Sequence, residues 1–235
     1  MSRLLHFAIA AALLYVGSQL GGGPYDLQAA DSASGDQQES AASQSAWQEL
    51  FNGRDMTGWQ DASGGTPRWV VEDGALVRKD RAGSIWTKER FGDFVLSIEF
   101  RTEANSGIFF RTDNPRDCVQ TGIEIQVLPP RSPSKHSCGA VYDLLAPSKE
   151  ASKADAWNRA VIKAVDNRIA VKINGEQVID MDLDQWTEAG KNPDGTKNKF
   201  RRALAQFKRE GHIGLQDHGG KVAYRNIKIR KIEPK

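Results

Sequence analysis

The chain has 235 residues, 39% of them hydrophobic, and balances 32 basic against 30 acidic residues for a formal net charge of +2. With a leader and a spacer set aside, roughly 190 residues remain, enough for one well-packed core, so one domain is expected. The charges are spread along the chain with no run of positive charge to follow a phosphate backbone, which argues against nucleic acid as a partner.

The N-terminus reads Met1-Ser2-Arg3, then an apolar run from Leu4 to Val16 broken only by His6, then small and Gly-rich residues to about Ala30. A basic start and a short apolar run predict a signal peptide over residues 1–30, hence an exported protein, periplasmic or secreted. The run is shorter than the roughly 20 residues of a membrane span. With no sharp cleavage site, an uncleaved anchor stays as the alternative, while the lack of a cysteine after the run gives no support to a lipid anchor. Residues 31–46 are Ser, Ala, Gln, Gly and acids without apolar periodicity, the composition of a flexible spacer. The folded domain is expected over 47–235.

From Trp47 on, short runs alternate apolar and polar residues between turn-formers, as in an antiparallel β-sandwich. Glu72-Asp73-Gly74 joins the strand Trp69-Val71 to Ala75-Val77. Phe94 to Thr102 reads as a strand that Asn105-Ser106-Gly107 turns into Ile108 to Thr112. Trp157 to Val165, Ile169 to Ile173 and Gln177 to Met181 form a meander, and Asn174-Gly175 is its strongest hairpin signal. Phe200, Leu204 and Phe207 recur at helical spacing and predict one short amphipathic surface helix between Lys191 and Gly211. His212 to Gln216 and Val222 to Arg230 close the domain.

Side chains two apart on a strand share a face. Arg111 is therefore expected opposite Ile108 and Phe110, Glu124 and Gln126 opposite Ile123, Ile125 and Val127, and His212 and Gln216 opposite Ile213 and Leu215. A solvated sheet face accounts for each polar residue singly. Arg, Glu, Gln and His together, however, carry planar groups suited to paired hydrogen bonds, and Gly107, Gly122 and Gly214 mark places of close approach. The combination predicts a polar, sugar-sized site on one sheet face. His218 follows in the Asp217-Gly220 turn, and His136 and Tyr142 lie in the segment after the Pro-rich loop from Pro129 to Pro133. The histidine spacing makes no metal site. Neither a Gly-x-Ser-x-Gly nucleophile motif nor a phosphate-binding Gly-rich loop is present, which sets aside hydride-transfer and phosphoryl chemistry. Cys118 and Cys138 either form a disulfide, which export permits and which would stabilise by roughly 3 kcal/mol, or remain free buried thiols.

The opening Trp47-Gln-Glu-Leu-Phe-Asn-Gly-Arg-Asp-Met-Thr-Gly-Trp59 and the central Ser106-Gly-Ile-Phe-Phe-Arg111 and Gly122-Ile-Glu-Ile-Gln126 are recognisable. So are Gly139-Ala-Val-Tyr142, Trp157-Asn158, Ile213-Gly-Leu-Gln-Asp-His-Gly219 and Tyr224-Arg-Asn-Ile227. Together, from about Trp47 to Ile232, they resemble the 3-keto-disaccharide hydrolase domain, long catalogued only as a domain of unknown function. The resemblance implies an all-β, concanavalin A-like antiparallel jelly roll and glycosides already oxidised to a ketone at carbon 3. One departure is the turn after the Trp157-Asn158 strand, where Asp166-Asn167-Arg168 stands in place of the family's glycine; Asn tolerates the left-handed conformation it needs. On such a substrate the expected catalytic residues are His218 or His136 as base and Glu124 as acid or as ligand to an assisting cation. Arg111, Gln126, Tyr142 and Gln216 are the expected substrate contacts. No cofactor is implied, though a divalent cation is compatible, and an oxidoreductase partner would have to make the ketone. Two-carboxylate glycoside hydrolysis fits less well, since alternation places only Glu124 on the polar face. The rival is a non-catalytic carbohydrate-binding or adhesion module, which would present aromatics such as Trp59, Trp86 or Trp186 on an open face.

Overall fold

A computed structural model describes residues 46–233, so the expected leader and the spacer up to residue 45 lie outside the described residues. In chain order the strands are β1 (Gln48–Glu49), β2 (Trp59–Asp61), β3 (Val70–Glu72), β4 (Ala75–Val77), β5 (Ile85–Phe91), β6 (Phe94–Thr102) and β7 (Ser106–Thr112). A short helix α1 (Cys118–Thr121) precedes β8 (Ile123–Val127), β9 (Asn158–Val165), β10 (Arg168–Ile173), β11 (Glu176–Asp182), β12 (Gly211–Leu215) and β13 (Val222–Lys231).

These strands form two antiparallel sheets. Eight strands run β11-β10-β9-β6-β13-β4-β3, with β1 also on β13, and five run β2-β5-β12-β7-β8. Between β4 and β7, and again from β11 to β13, the chain passes back and forth between the sheets, the winding of a jelly-roll sandwich. The alternation in the sequence explains which way each strand faces. In β6, Phe94, Leu96, Ile98 and Phe100 are buried, and they meet Ile108 and Phe110 of β7 and Ile123 and Ile125 of β8 in one core. Phe94 and Phe110 meet edge to face, ring centroids 5.9 Å apart, tying the two sheets together.

Two hairpins have the backbone that their turn residues demand. Asp73 and Gly74 (φ 50° and 71°) join β3 to β4, and Asn174 and Gly175 (φ 52° and 88°) join β10 to β11. In the turn between β9 and β10 the left-handed position falls on Asp166 (φ 46°), one residue before the asparagine expected to take it. Other expectations are corrected as well. Ser106 and Gly107 belong to β7 rather than to the turn before it, and β2 and β5 carry no clean alternation that marks them in the sequence. The segment expected to hold an amphipathic helix forms a single 3-10 turn, Leu204–Gln206. Phe200, Leu204 and Phe207 are buried as that pattern required, with the two phenyl rings 5.9 Å apart, but the anchoring is tertiary and needs no continuous helix.

Candidate active site

Strand register arranges the outer face of the five-stranded sheet in transverse rows, because directly opposed residues of antiparallel strands share a face. Gln60 pairs with Trp86, Trp86 with Gly214, Gly214 with Phe109, and Phe109 with Glu124. Beyond β8 the Tyr142 amide donates to the Glu124 carbonyl at 2.9 Å, so Tyr142 continues the row. A second row holds Gln126 beside Gly107, whose carbonyl accepts from the Gln216 amide at 3.0 Å. From Glu124 to Trp86 the row crosses three strand spacings, about 14 Å.

The glycines shape this face. A Cβ on Gly107 would stand 2.2 Å from Glu124 Oε1, so the carboxylate lies down over Gly107; a Cβ on Gly214 would stand 2.2 Å from the Trp86 ring, which lies over β12 in the same way. Trp86 also packs against Phe109, ring centroids 5.6 Å apart. Gln126, with its amide oriented to suit its neighbours, donates to the Ser106 carbonyl at 2.9 Å and to Glu124 Oε1 at 3.2 Å. Trp86 Nε1 and Gln216 Oε1 are buried without a hydrogen-bond partner among the described residues.

Glu124 is the unusual ionisable group. It is 7% exposed, and burial pushes its carboxyl up to about 7 while the Lys199 ammonium pulls it part of the way back. Lys199 Nζ lies 3.7 Å from the centroid of the Tyr142 ring, and burial lowers its pKa against the opposing pull of Glu124 and Asp143. The Tyr142 phenol is raised by burial, then by Glu124 and Asp143. Asp143 holds this corner together, accepting from the Lys199 amide at 2.8 Å and meeting His136 Nε2 at 3.1 Å; the His136 ring also packs on Tyr142 at 5.0 Å. A carboxyl near neutrality, a cation, a phenol and a histidine–aspartate pair thus surround one end of the face, enough for proton transfer in both directions.

The other predicted residues separate. Gln126, Tyr142 and Gln216 stand around the Glu124 face, and His136 stands at its rim. His218 is exposed in the turn that follows Gln216, at the Gly107 end rather than the Tyr142 end. His212 is fixed to its own sheet by Nδ1 against the Thr87 carbonyl at 2.7 Å. Arg111 is corrected outright. The pairing of β7 with β12 shifts at this point, Arg111 sits at φ 50° in the resulting bulge, and its side chain leaves the outer face. It donates to Asp93 Oδ1 at 2.7 Å, to the Asp166 carbonyl at 2.6 Å and to the Gly92 carbonyl at 3.1 Å, clamping turns of the other sheet. Burial lowers its pKa to about 10 against the opposing pull of Asp93. Of the two states open to the cysteines, the structure has the free thiols: Cys118 at the start of α1 and Cys138 in the loop before Tyr142. Burial, then Glu124, pushes the Cys118 thiol up to about 11, which favours the thiol over the thiolate. Trp59, Trp86 and Trp186 are all buried. Among the described residues no three His, Cys, Asp or Glu side chains converge as metal ligands.

Sequence reading missed Lys199, which sits in the loop taken for a helix, and gave no role to Phe109, whose bulk on the polar side of β7 was the available signal. Comparison with known proteins gives the chain its relatives. The chain is 24% identical to the 3-keto-disaccharide hydrolase of Bacteroides thetaiotaomicron over 225 residues, 78% of each chain. It superposes on a candidate glycosyl hydrolase of Parabacteroides distasonis with a TM-score of 0.70 and 31% identity, covering 79% of this chain and 99% of that one. A second such protein from the same organism gives 0.60 and 26%, covering 79% and 83%. The sequence pattern of one family spans residues 46–230, and the chain belongs to that family, the 3-keto-alpha-glucoside-1,2-lyase-like domain.

Proposed function

We propose that the protein cleaves glycosides that carry a ketone at carbon 3 of the sugar ring, with Glu124 as the group that moves the proton at carbon 2. The observation that carries this reading is the Glu124 carboxyl, buried over Gly107 and held near neutral pKa beside Lys199. A ketone at carbon 3 acidifies the neighbouring C2–H bond. Glu124 takes that proton, the electron pair forms a C2–C3 enolate, and Lys199 supplies positive charge for the oxygen on carbon 3. When the C3 carbonyl re-forms, a C1–C2 double bond forms and the C1–O bond breaks; the departing oxygen takes a proton from the Tyr142 hydroxyl. Water adding across C1–C2, hydroxyl to carbon 1 and hydrogen to carbon 2, completes net hydrolysis; without that step the enzyme is a lyase. Burial of Trp59, Trp86 and Trp186 weakens the rival reading of a binding module with an open aromatic face. The proposal extends to an exported enzyme, supplied by an oxidoreductase that forms the ketone.

The test is product analysis by mass spectrometry on a 3-keto-glucoside and its unoxidised parent, with Glu124→Gln, His136→Ala and His218→Ala run alongside. Aglycone released from the keto form alone, and lost in Glu124→Gln, is the expected result. Equal cleavage of the unoxidised parent would rule out the ketone-dependent route. Activity kept in Glu124→Gln and lost in one histidine variant would move the base to that histidine.

A further inference from the structure

A cavity of about 650 Å³ opens on the outer face of the eight-stranded sheet, on the far side of the sandwich from Glu124. Register explains the recess. Val222 and Tyr224 point into the core, as do Leu76 and Phe100, so Ala223, Val77 and Arg101 face outward and lie side by side across β4, β13 and β6. Ala75 and Ala223 are small and leave a hollow floor. Trp157, at the start of the next strand over, is half-buried and forms one wall.

Two guanidinium groups attend that indole. Arg225 Cζ lies 4.1 Å from the ring centroid and is held by Glu99 Oε2 at 2.8 Å; Arg101 Cζ lies at 5.2 Å. Other cations of the rim are paired, Lys79 with Glu72 at 2.7 Å and Lys221 with Glu103 at 3.2 Å. Exposed Arg101 has no carboxylate within ion-pair distance among the described residues, although Glu103 lies two positions away. An unpaired planar fork beside an indole, over a floor of small residues, matches a pyranose ring bearing one carboxylate. The acids on the rim oppose a polyphosphate, and a neutral sugar would leave the fork unused.

We propose that this groove is a second carbohydrate site, separate from the catalytic face, that binds an acidic saccharide with a uronate carboxylate on Arg101 and its ring against Trp157. The test is titration calorimetry of the full chain with methyl β-glucuronide and with methyl β-glucoside, which differ only in the carboxylate, repeated on Arg101→Gln and Trp157→Ala. Arg101 is exposed, so Arg101→Gln leaves the fold intact even if Trp157→Ala does not. The glucuronide should bind well ahead of the glucoside, weaken about tenfold in Arg101→Gln and weaken further at raised salt. Turnover of a 3-keto-glucoside should not change in that variant. No binding of the glucuronide, equal binding of the glucoside, or an affinity that Arg101→Gln leaves untouched each overturns the proposal.

Discussion

Replacing Glu124 with Gln tests the site through stability as well as through rate. The carboxyl has an ordinary value near 4.5 and is pushed to about 7 in the fold, so at intermediate pH the folded protein holds a proton that the unfolded chain has released. An acid with a raised folded pKa gives its full contribution below the unfolded value and loses it as pH rises toward the folded one. Wild type should therefore lose stability between about pH 4.5 and 7 and level off above. The shift of roughly 2.5 units corresponds to about 3 kcal/mol. Gln keeps the shape and the acceptor facing Gln126 but cannot ionise, so the variant escapes this loss. Urea denaturation of both proteins at pH 4.5 and at pH 8 measures it: the stability difference, variant minus wild type, should grow by about 3 kcal/mol between the two conditions. Turnover of a 3-keto-glucoside should fall by about 10² or more in the same variant. Parallel pH–stability curves would refute the buried neutral carboxyl, and wild-type turnover would refute its role.

Lys199→Met removes the charge that pulls Glu124 down, so the acid limb of the kcat/KM profile should move to higher pH, with Lys199→Arg restoring it; an unmoved limb would separate the two groups. Gly107→Ala places a methyl where the Glu124 carboxylate lies, at 2.2 Å from Oε1, and should cost about 10² in kcat with little change in melting temperature, because the displaced atoms end a flexible side chain. Arg111→Ala strips partners from Asp93 and from the Gly92 and Asp166 carbonyls and should cost about 3–5 kcal/mol in urea denaturation while the KM of the folded protein holds. A raised KM at unchanged stability would instead return Arg111 to the substrate.

The sandwich was legible because its strands obey alternation. Ile123, Ile125 and Val127 fix the side of β8 that faces the core, and Glu124 and Gln126 follow to the other side without further information. What alternation could not supply is burial, since the rule separates two faces of a sheet but says nothing of what covers the second. Glu124 and Gln126 were read onto a polar face and are among the most buried polar residues of the described chain. Lys199 was out of reach for a different reason. It arrives on a loop whose path is set by Asp143 and by the buried Phe200 and Phe207, contacts distant in sequence that leave no periodic trace near it.

Arg111 shows how the rule fails and where a warning stood. A bulge adds a residue to β7 opposite β12, and from that point every inference by parity changes sign. Gly211, at the start of β12, lies against this backbone: a Cβ there would stand 2.3 Å from the Arg111 carbonyl carbon, so a glycine beside this stretch of β7 is the mark of a backbone passing too close for a side chain. Gly107, Gly122 and Gly214 were read in the same spirit as places of close approach. Each has a near neighbour, but the neighbours are Glu124, Thr112 and Trp86, side chains of the chain itself. Glycine in a strand thus reports that something lies against the backbone, and at Gly107 and Gly214 that something is a side chain of the candidate site. Gly107 lets an acid lie flat in a buried position where its proton is held near neutral pH.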